Sequence, residues 1–214
     1  MRLLIIGAGG HAQVVADILL LQQKAGLDID PIGYLDDDPK LIDQFRLGLP
    51  ILAPVNQIAS YKDCAIIVGI GDNYVRRALY NLLMRDEVRA FVAAHPAATV
   101  ASDVSIGEGT VIAAGVVVNT GSVIGQNVIL NTACTIDHHN VISDHVHIAP
   151  GVNLGGGVQI GEASLIGVGA TIMPQRCVGS NAIVGAGSVV VKNVADGTIV
   201  AGVPARMIGE NSRD

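Results

Sequence analysis

The 214-residue sequence has no tryptophan, two phenylalanines and four tyrosines, and none of these six rings lies beyond Phe91. Whatever core the later stretch builds must come from Val, Ile, Leu and Ala, which favours a narrow, regular interior. Charge is scarce too. Thirteen Lys and Arg against nineteen Asp and Glu leave a net charge of −6, so there is no positive field for a phosphate backbone and nucleic acid is not an expected partner. The three cysteines, Cys64, Cys134 and Cys177, lack Cys-x-x-Cys spacing, which excludes a disulfide framework and a cysteine zinc site and points to a reducing cytoplasm. The apolar run from Met1 to Ile6 is too short for a signal peptide or a membrane span, so no membrane partner is expected.

Apolar residues and glycine are plentiful: half the chain is hydrophobic and 26 residues are Gly. The distribution of rings divides the chain into two regions, 1–94 and 95–214. In the first, a strand over residues 2–6 runs into Gly7-Ala8-Gly9-Gly10-His11-Ala12, and apolar residues from Val14 to Leu21 then recur at helical spacing. This is a strand, a glycine turn of G-x-G-x-x-A form and a helix, an arrangement that brings bare backbone and a helix N-terminus to a phosphate. A second strand, 29–35, leads into Asp36-Asp37-Asp38-Pro39. Acidic residues there fit either a sugar-hydroxyl site or a solvated turn stopped by proline. A third strand, 65–68, ends in Gly69-Ile70-Gly71-Asp72-Asn73 before a second helix, and a fourth is expected at 88–92. The unit is about half a dinucleotide-binding fold and suits one nucleotide better than NAD.

From Val100 to Val190 every sixth residue is Val, Ile or Leu, sixteen times without interruption. A six-residue period is the signature of a parallel β-helix with a triangular coil of eighteen residues, and sixteen repeats make about five coils. Small or β-branched residues usually recur four positions after the aliphatic; Cys134 is one of them and reads as core. Four of the six histidines, His138, His139, His145 and His147, fall within one coil. Eighteen residues beyond Asp137, His138 and His139 lie Gly155, Gly156 and Gly157, and eighteen before His138 and His139 lie Thr120 and Gly121. Coil arithmetic thus sets the histidines beside a ledge almost without side chains, where a substrate or a pantetheine arm can lie on bare peptide groups. His145 reads as a solvated corner.

These features together, namely Gly-Ala-Gly-Gly-His-Ala, Leu35-Asp36-Asp37, Gly69-Ile70-Gly71-Asp72-Asn73, His95-Pro96, the hexapeptide array and Ala201-Gly202-Val203-Pro204-Ala205-Arg206, resemble the sialic acid O-acetyltransferase family of sugar acyltransferases. Within it the sequence is similar to bacterial nucleotide-sugar acetyltransferases acting on 4-amino sugars of the bacillosamine and perosamine type. The resemblance spans essentially the whole chain. It implies an α/β Rossmann-like domain over 1–94 that binds a nucleotide-linked amino sugar, then an all-β left-handed parallel β-helix over 95–214. It further implies a homotrimer with active sites between subunits, acetyl-CoA as co-substrate and no metal. Its general base matches His138, and its second motif histidine, His147, belongs to the CoA thioester end. Gly156, Val168 and Ala186 match the CoA groove, and Gly9, Gly10, His11, Asp36, Asp37 and Gly71 match nucleotide-sugar positions. Relatives commonly carry an acid directly after the base. Here that orienting position is His139, with Asp137 as the other candidate.

The expected chemistry is acetyl transfer from a thioester to the 4-amino group, with backbone N–H groups around 155–157 stabilising the oxyanion. Alternatives are O-acetylation of a sugar hydroxyl, as on sialic acid or a polysaccharide precursor, and a non-catalytic nucleotide-sugar-binding protein. A zinc-dependent β-helix enzyme is a third, against which the matching first domain counts.

Overall fold

The computed structural model describes residues 1–85 and 88–212. The chain divides into two compact units, 1–96 and 97–214.

The first unit is built on β1 (Arg2–Ile6), α1 (Gly10–Lys24), β2 (Asp30–Leu35), β3 (Phe45–Arg46), β4 (Leu49–Ala53), β5 (Ala65–Val68) and α2 (Asn73–Met84). The sheet order is β3-β4-β2-β1-β5. β1 pairs in parallel with β2 and β5, and its Leu3, Leu4, Ile5 and Ile6 are fully buried, as a strand covered on both faces requires. The chain leaves β1 to β2 on one side and later returns to β5 on the other. The switch point therefore lies at the carboxyl ends of β1 and β5, where the glycine loops are.

Two features depart from expectation. The 45–53 stretch forms a hairpin, because Leu47 and Gly48 both take left-handed backbone (φ 49° and 78°) as a two-residue turn demands; Leu-Gly is an uncommon signal for it. The strand expected at 88–92 shrinks to a single bridge between Ala90 and Ile66, flanked by backbone bonds from Ile66 N to Arg89 O and from Phe91 N to Ile66 O.

The second unit is a left-handed parallel β-helix. Two-residue strands recur every six residues and pair in parallel with those eighteen residues away, as Thr135–Ile136 does with Val117–Val118 and Asn153–Leu154. The fourteen register aliphatics from Ile112 to Val190 are all buried, while Val100 and Ile106 at the end of the array are partly so. Every corner turns through a left-handed residue. From Gly109 to Gly187 all fourteen positions at six-residue spacing have positive φ. Seven are glycine, and the seven others, His139 and His145 among them, each carry roughly 1 kcal/mol of strain that the array must offset.

Buried hydroxyls tie successive coils together. Thr110 and Ser164 each donate to a carbonyl fifteen residues on and accept an N–H eighteen residues on. In a prism too narrow for water, this satisfies backbone groups that the two-residue strands leave unpaired. A short hairpin, Thr198–Gly202 with Ala205–Glu210, continues one face of the prism from Ile183–Val184. Among the described residues no helix is long and apolar enough to cross a membrane.

Candidate active site

In the first unit, Gly9, Gly10, His11, Asp36, Asp37 and Gly71 all lie at the carboxyl edge of the sheet. Gly9 caps α1 without any side-chain bond, and the first turn holds no acid, so the helix presents its N-terminal backbone and partial positive charge. A β-carbon on Gly9, Gly10 or Gly71 would meet nothing within 4 Å, so bare backbone is accessible there. The acids do more than wait for a ligand. Asp36 accepts from Ala8 N at 2.7 Å and Asp38 N at 2.9 Å, and Asp37 accepts from Val55 N at 2.9 Å. They lock the glycine loop and the β2 loop to each other and to the segment after β4. Each carboxylate retains lone pairs for a hydroxyl.

Behind this edge sits a residue that sequence reading passed over. Arg76, one of the largest fully buried side chains, donates to Ile70 O, Gly71 O and Asn73 Oδ1, which shapes the second glycine loop. Burial pulls its pKa down to about 9, so it stays charged at neutral pH. Burial, and then the charge of Arg76, push His11 down to about 4. His11 is therefore neutral at pH 7. Because its folded value lies below the ordinary 6.5, its contribution to stability is complete above pH 6.5 and is lost as pH falls toward 4, by roughly 3 kcal/mol in all. Thermal unfolding should show stability falling between pH 7 and 5 with a slope that His11→Gln flattens. An unchanged slope in that variant would refute the burial-driven shift.

In the second unit, His138 and His139 occupy the turn after Thr135–Ile136. A turn, unlike an extended segment, lets neighbouring side chains project to the same side, and both are exposed. Their Nδ1 atoms are 3.0 Å apart, with rings edge to face at 5.2 Å and 78°. The expected glycine ledge exists, and the histidines cover it. A β-carbon on Gly156 would lie 2.5 Å from His138 Cε1 and 2.6 Å from Nε2, and one on Gly121 would lie 2.7 Å from His139 Cδ2. Each ring thus lies over a glycine, one in the following coil and one in the preceding coil.

Asp137 makes no hydrogen bond to either ring, although its charge and that of His138 act on each other. Its Oδ1 accepts from the His138 backbone N at 2.8 Å and from Asn119 Nδ2 at 3.1 Å, and these bonds hold its carboxyl below the usual range. His139 is the side chain that touches His138. His145 is not at a solvated corner; it is buried with Nδ1 2.9 Å from Asn127 Nδ2. Burial pushes the Cys134 thiol up to about 12, which makes it core and no nucleophile.

The expected oxyanion donors are reduced to one. Gly155 N donates to Ile172 O and Gly157 N to His138 O. Among the described residues no partner takes the Gly156 N–H. His147 Nε2 is 3.1 Å from Asn131 Nδ2, which fixes its ring. The residues expected to line a CoA groove fall on different edges of the prism. His138 and Gly156 stack on one, as the bond from Gly157 N to His138 O shows, while Val168 and Ala186 stack above Pro150 on another, through Gly169 N to Pro150 O and Gly187 N to Val168 O.

Comparison with known proteins now decides the lineage. Residues 2–83 match the PglD N-terminal domain family. Over 110 residues the chain is 35% identical to UDP-N-acetylbacillosamine N-acetyltransferase of Bacillus subtilis, a match that spans about half of each protein (50% and 49%). The acetyltransferase domain of PglB from Neisseria gonorrhoeae, solved in complex with acetyl coenzyme A, is 38% identical, with a TM-score of 0.90 over 97% of this chain and 98% of that one. The chain belongs to the bacillosamine- and perosamine-type sugar acetyltransferases. A histidine-to-asparagine variant of perosamine N-acetyltransferase from Caulobacter crescentus, in complex with CoA and GDP-perosamine, is also similar: 34% identity, TM-score 0.90, and 98% of both chains.

In this sugar acetyltransferase one further residue supports the histidine turn. Asn140 is fully buried at a register position that mostly holds a small or β-branched side chain. Its Nδ2 donates to Asp137 O and Gly155 O, and its Oδ1 accepts from Val158 N at 2.9 Å. It clamps the turn carrying His138 to the coil carrying Gly156. The signal was present in the sequence as an amide at a register position that, Arg176 apart, otherwise holds Thr, Ser, Val, Ala or Cys. Asn140→Ala should cost about 2 kcal/mol or more, since it leaves Gly155 O and Val158 N without partners, while Asp137 O keeps the Ser122 hydroxyl. Denaturant melts check this; a loss under 1 kcal/mol would dismiss the clamp.

Proposed function

We propose that this protein transfers the acetyl group of acetyl-CoA to the 4-amino group of a nucleotide-linked sugar, with His138 as general base. The observation that carries the reading is the exposed His138–His139 pair laid over Gly156. A histidine is the side chain able to accept a proton near neutral pH, and it stands beside an unengaged backbone donor in a chain of this family. The amino nitrogen attacks the thioester carbonyl as His138 Nε2 takes its proton. The Gly156 N–H bonds the developing oxyanion. The tetrahedral intermediate collapses with cleavage of the C–S bond, and the CoA sulfur takes the proton back from His138, leaving the amide and the CoA thiol.

The first unit holds the nucleotide, its phosphates at the α1 N-terminus with Gly9, Gly10 and His11, and sugar or ribose hydroxyls at Asp36 and Asp37 beside Gly71. His147, Gly156, Val168 and Ala186 line the CoA groove. Because Gly156 and Val168 lie on different edges of one prism, a groove using all of these residues takes one edge from each of two subunits, which supports a homotrimer with active sites between subunits. Three unpaired cysteine thiols suit a cytoplasmic location.

Thiol release from acetyl-CoA, screened with UDP-, GDP- and dTDP-linked 4-amino sugars, tests the reading. Release that requires the 4-amino group supports it. Release with a 4-hydroxy sugar alone would transfer the assignment to O-acetylation, and none with any sugar would leave a binding protein.

A further inference from the structure

We propose that Asp103 supplies the carboxylate behind the base, acting through the His139 ring to hold His138 in the tautomer whose Nε2 accepts the substrate proton. The proposal rests on His138 being that base.

Asp103, Gly121 and His139 occupy equivalent places in three successive coils, eighteen residues apart. They meet at Gly121. The Gly121 N–H donates to Asp103 Oδ2 at 2.9 Å, and Thr120 Oγ1 donates to the same oxygen at 2.7 Å. On the other side, a β-carbon on Gly121 would be 2.9 Å from His139 Nε2. The far edge of the His139 ring therefore lies over the residue that Asp103 grips, while its near nitrogen faces His138.

The consequence follows from counting protons. Two Nδ1 atoms 3.0 Å apart form a hydrogen bond with one donor and one acceptor. A negative charge on the far side of His139 favours its proton on Nε2, which leaves Nδ1 with the lone pair. His138 must then donate from Nδ1, so its Nε2 carries the lone pair that catalysis needs. When His138 becomes an imidazolium, the same charge stabilises it across the intervening ring. Asp137, the other nearby carboxylate, is engaged with backbone and Asn119. The Asp103 carboxyl is held below its usual range, first by the Thr120 hydroxyl, then by the Gly121 N–H, and in smaller part by His139. An acid two coils before the residue that follows the base thus takes the place of the adjacent acid.

Asp103→Asn keeps an acceptor for Gly121 and Thr120 and removes only the charge. We expect kcat to fall about tenfold, far less than loss of the buried acid of a Ser-His-Asp triad because Asp103 is exposed and screened. KM for both substrates and the melting temperature should stay as they are. In a His139→Asn background, where asparagine tolerates the left-handed turn, the same change should cost nothing further. Wild-type kcat in Asp103→Asn, or an equal loss with and without His139, would overturn the proposal. His138→Ala serves as the control. If it is inactive while Asp103→Asn is unaffected, only the relay is refuted; if it turns over normally, the base assignment fails and the relay falls with it.

Discussion

His138→Ala should lower kcat by about 10²- to 10⁴-fold, the usual contribution of a positioned general base. KM for acetyl-CoA should change little, and the melting temperature should hold. His138 is exposed, and the coil beneath it is fixed by Ile136 in the core and by Asn140, neither of which needs the imidazole. Steady-state kinetics with a nucleotide-linked 4-amino sugar, alongside a thermal melt, separates loss of chemistry from loss of fold. Near-normal turnover in a folded variant would remove His138 from the mechanism.

A methyl group at position 156 should do almost as much damage without touching a titratable side chain. A β-carbon there would stand 2.5 Å from His138 Cε1 and 2.6 Å from Nε2, far inside van der Waals contact. The ring is the movable partner, so it swings aside and the prism persists. Displacing a catalytic atom by about 1 Å costs on the order of 10²-fold in rate, and that loss is expected in kcat for Gly156→Ala. Its backbone is not left-handed, unlike that of neighbouring Gly157 (φ +68°), so alanine adds no conformational strain. Combining Gly156→Ala with His138→Ala should lose nothing beyond His138→Ala alone, because both remove the same base. If instead KM for acetyl-CoA rises while kcat stays unchanged, Gly156 serves the CoA groove alone and does not seat the histidine.

The two variants probe one feature that was legible before any coordinates. A period of six sets a coil of eighteen, and eighteen added to His138 gives Gly156. The same arithmetic located the ring-free core, the buried Cys134 and the stack of Gly121 with His139. It failed where local sequence leaves a choice. The Leu47-Gly48 turn does not advertise a hairpin, and His145 sits at the same kind of corner as His139 yet is buried against Asn127. Asp36 and Asp37 stood in the right loop, but their first task, bonding Ala8 and Val55, depends on backbone donors in segments remote along the chain.

The two-part architecture and the coil register follow from the residues alone, because each hexapeptide repeats one local instruction: an aliphatic inward, a left-handed turn, a small residue at the corner. Which atoms face one another is settled by packing between coils and strands. That the rings of His138 and His139 meet at Nδ1, that Asn140 spans three backbone groups, that Arg76 is buried behind Gly71 and that Asp103 grips Gly121 are matters of side-chain direction among residues up to a coil apart. Periodicity places such residues on the same edge, and packing against their neighbours then selects the rotamers.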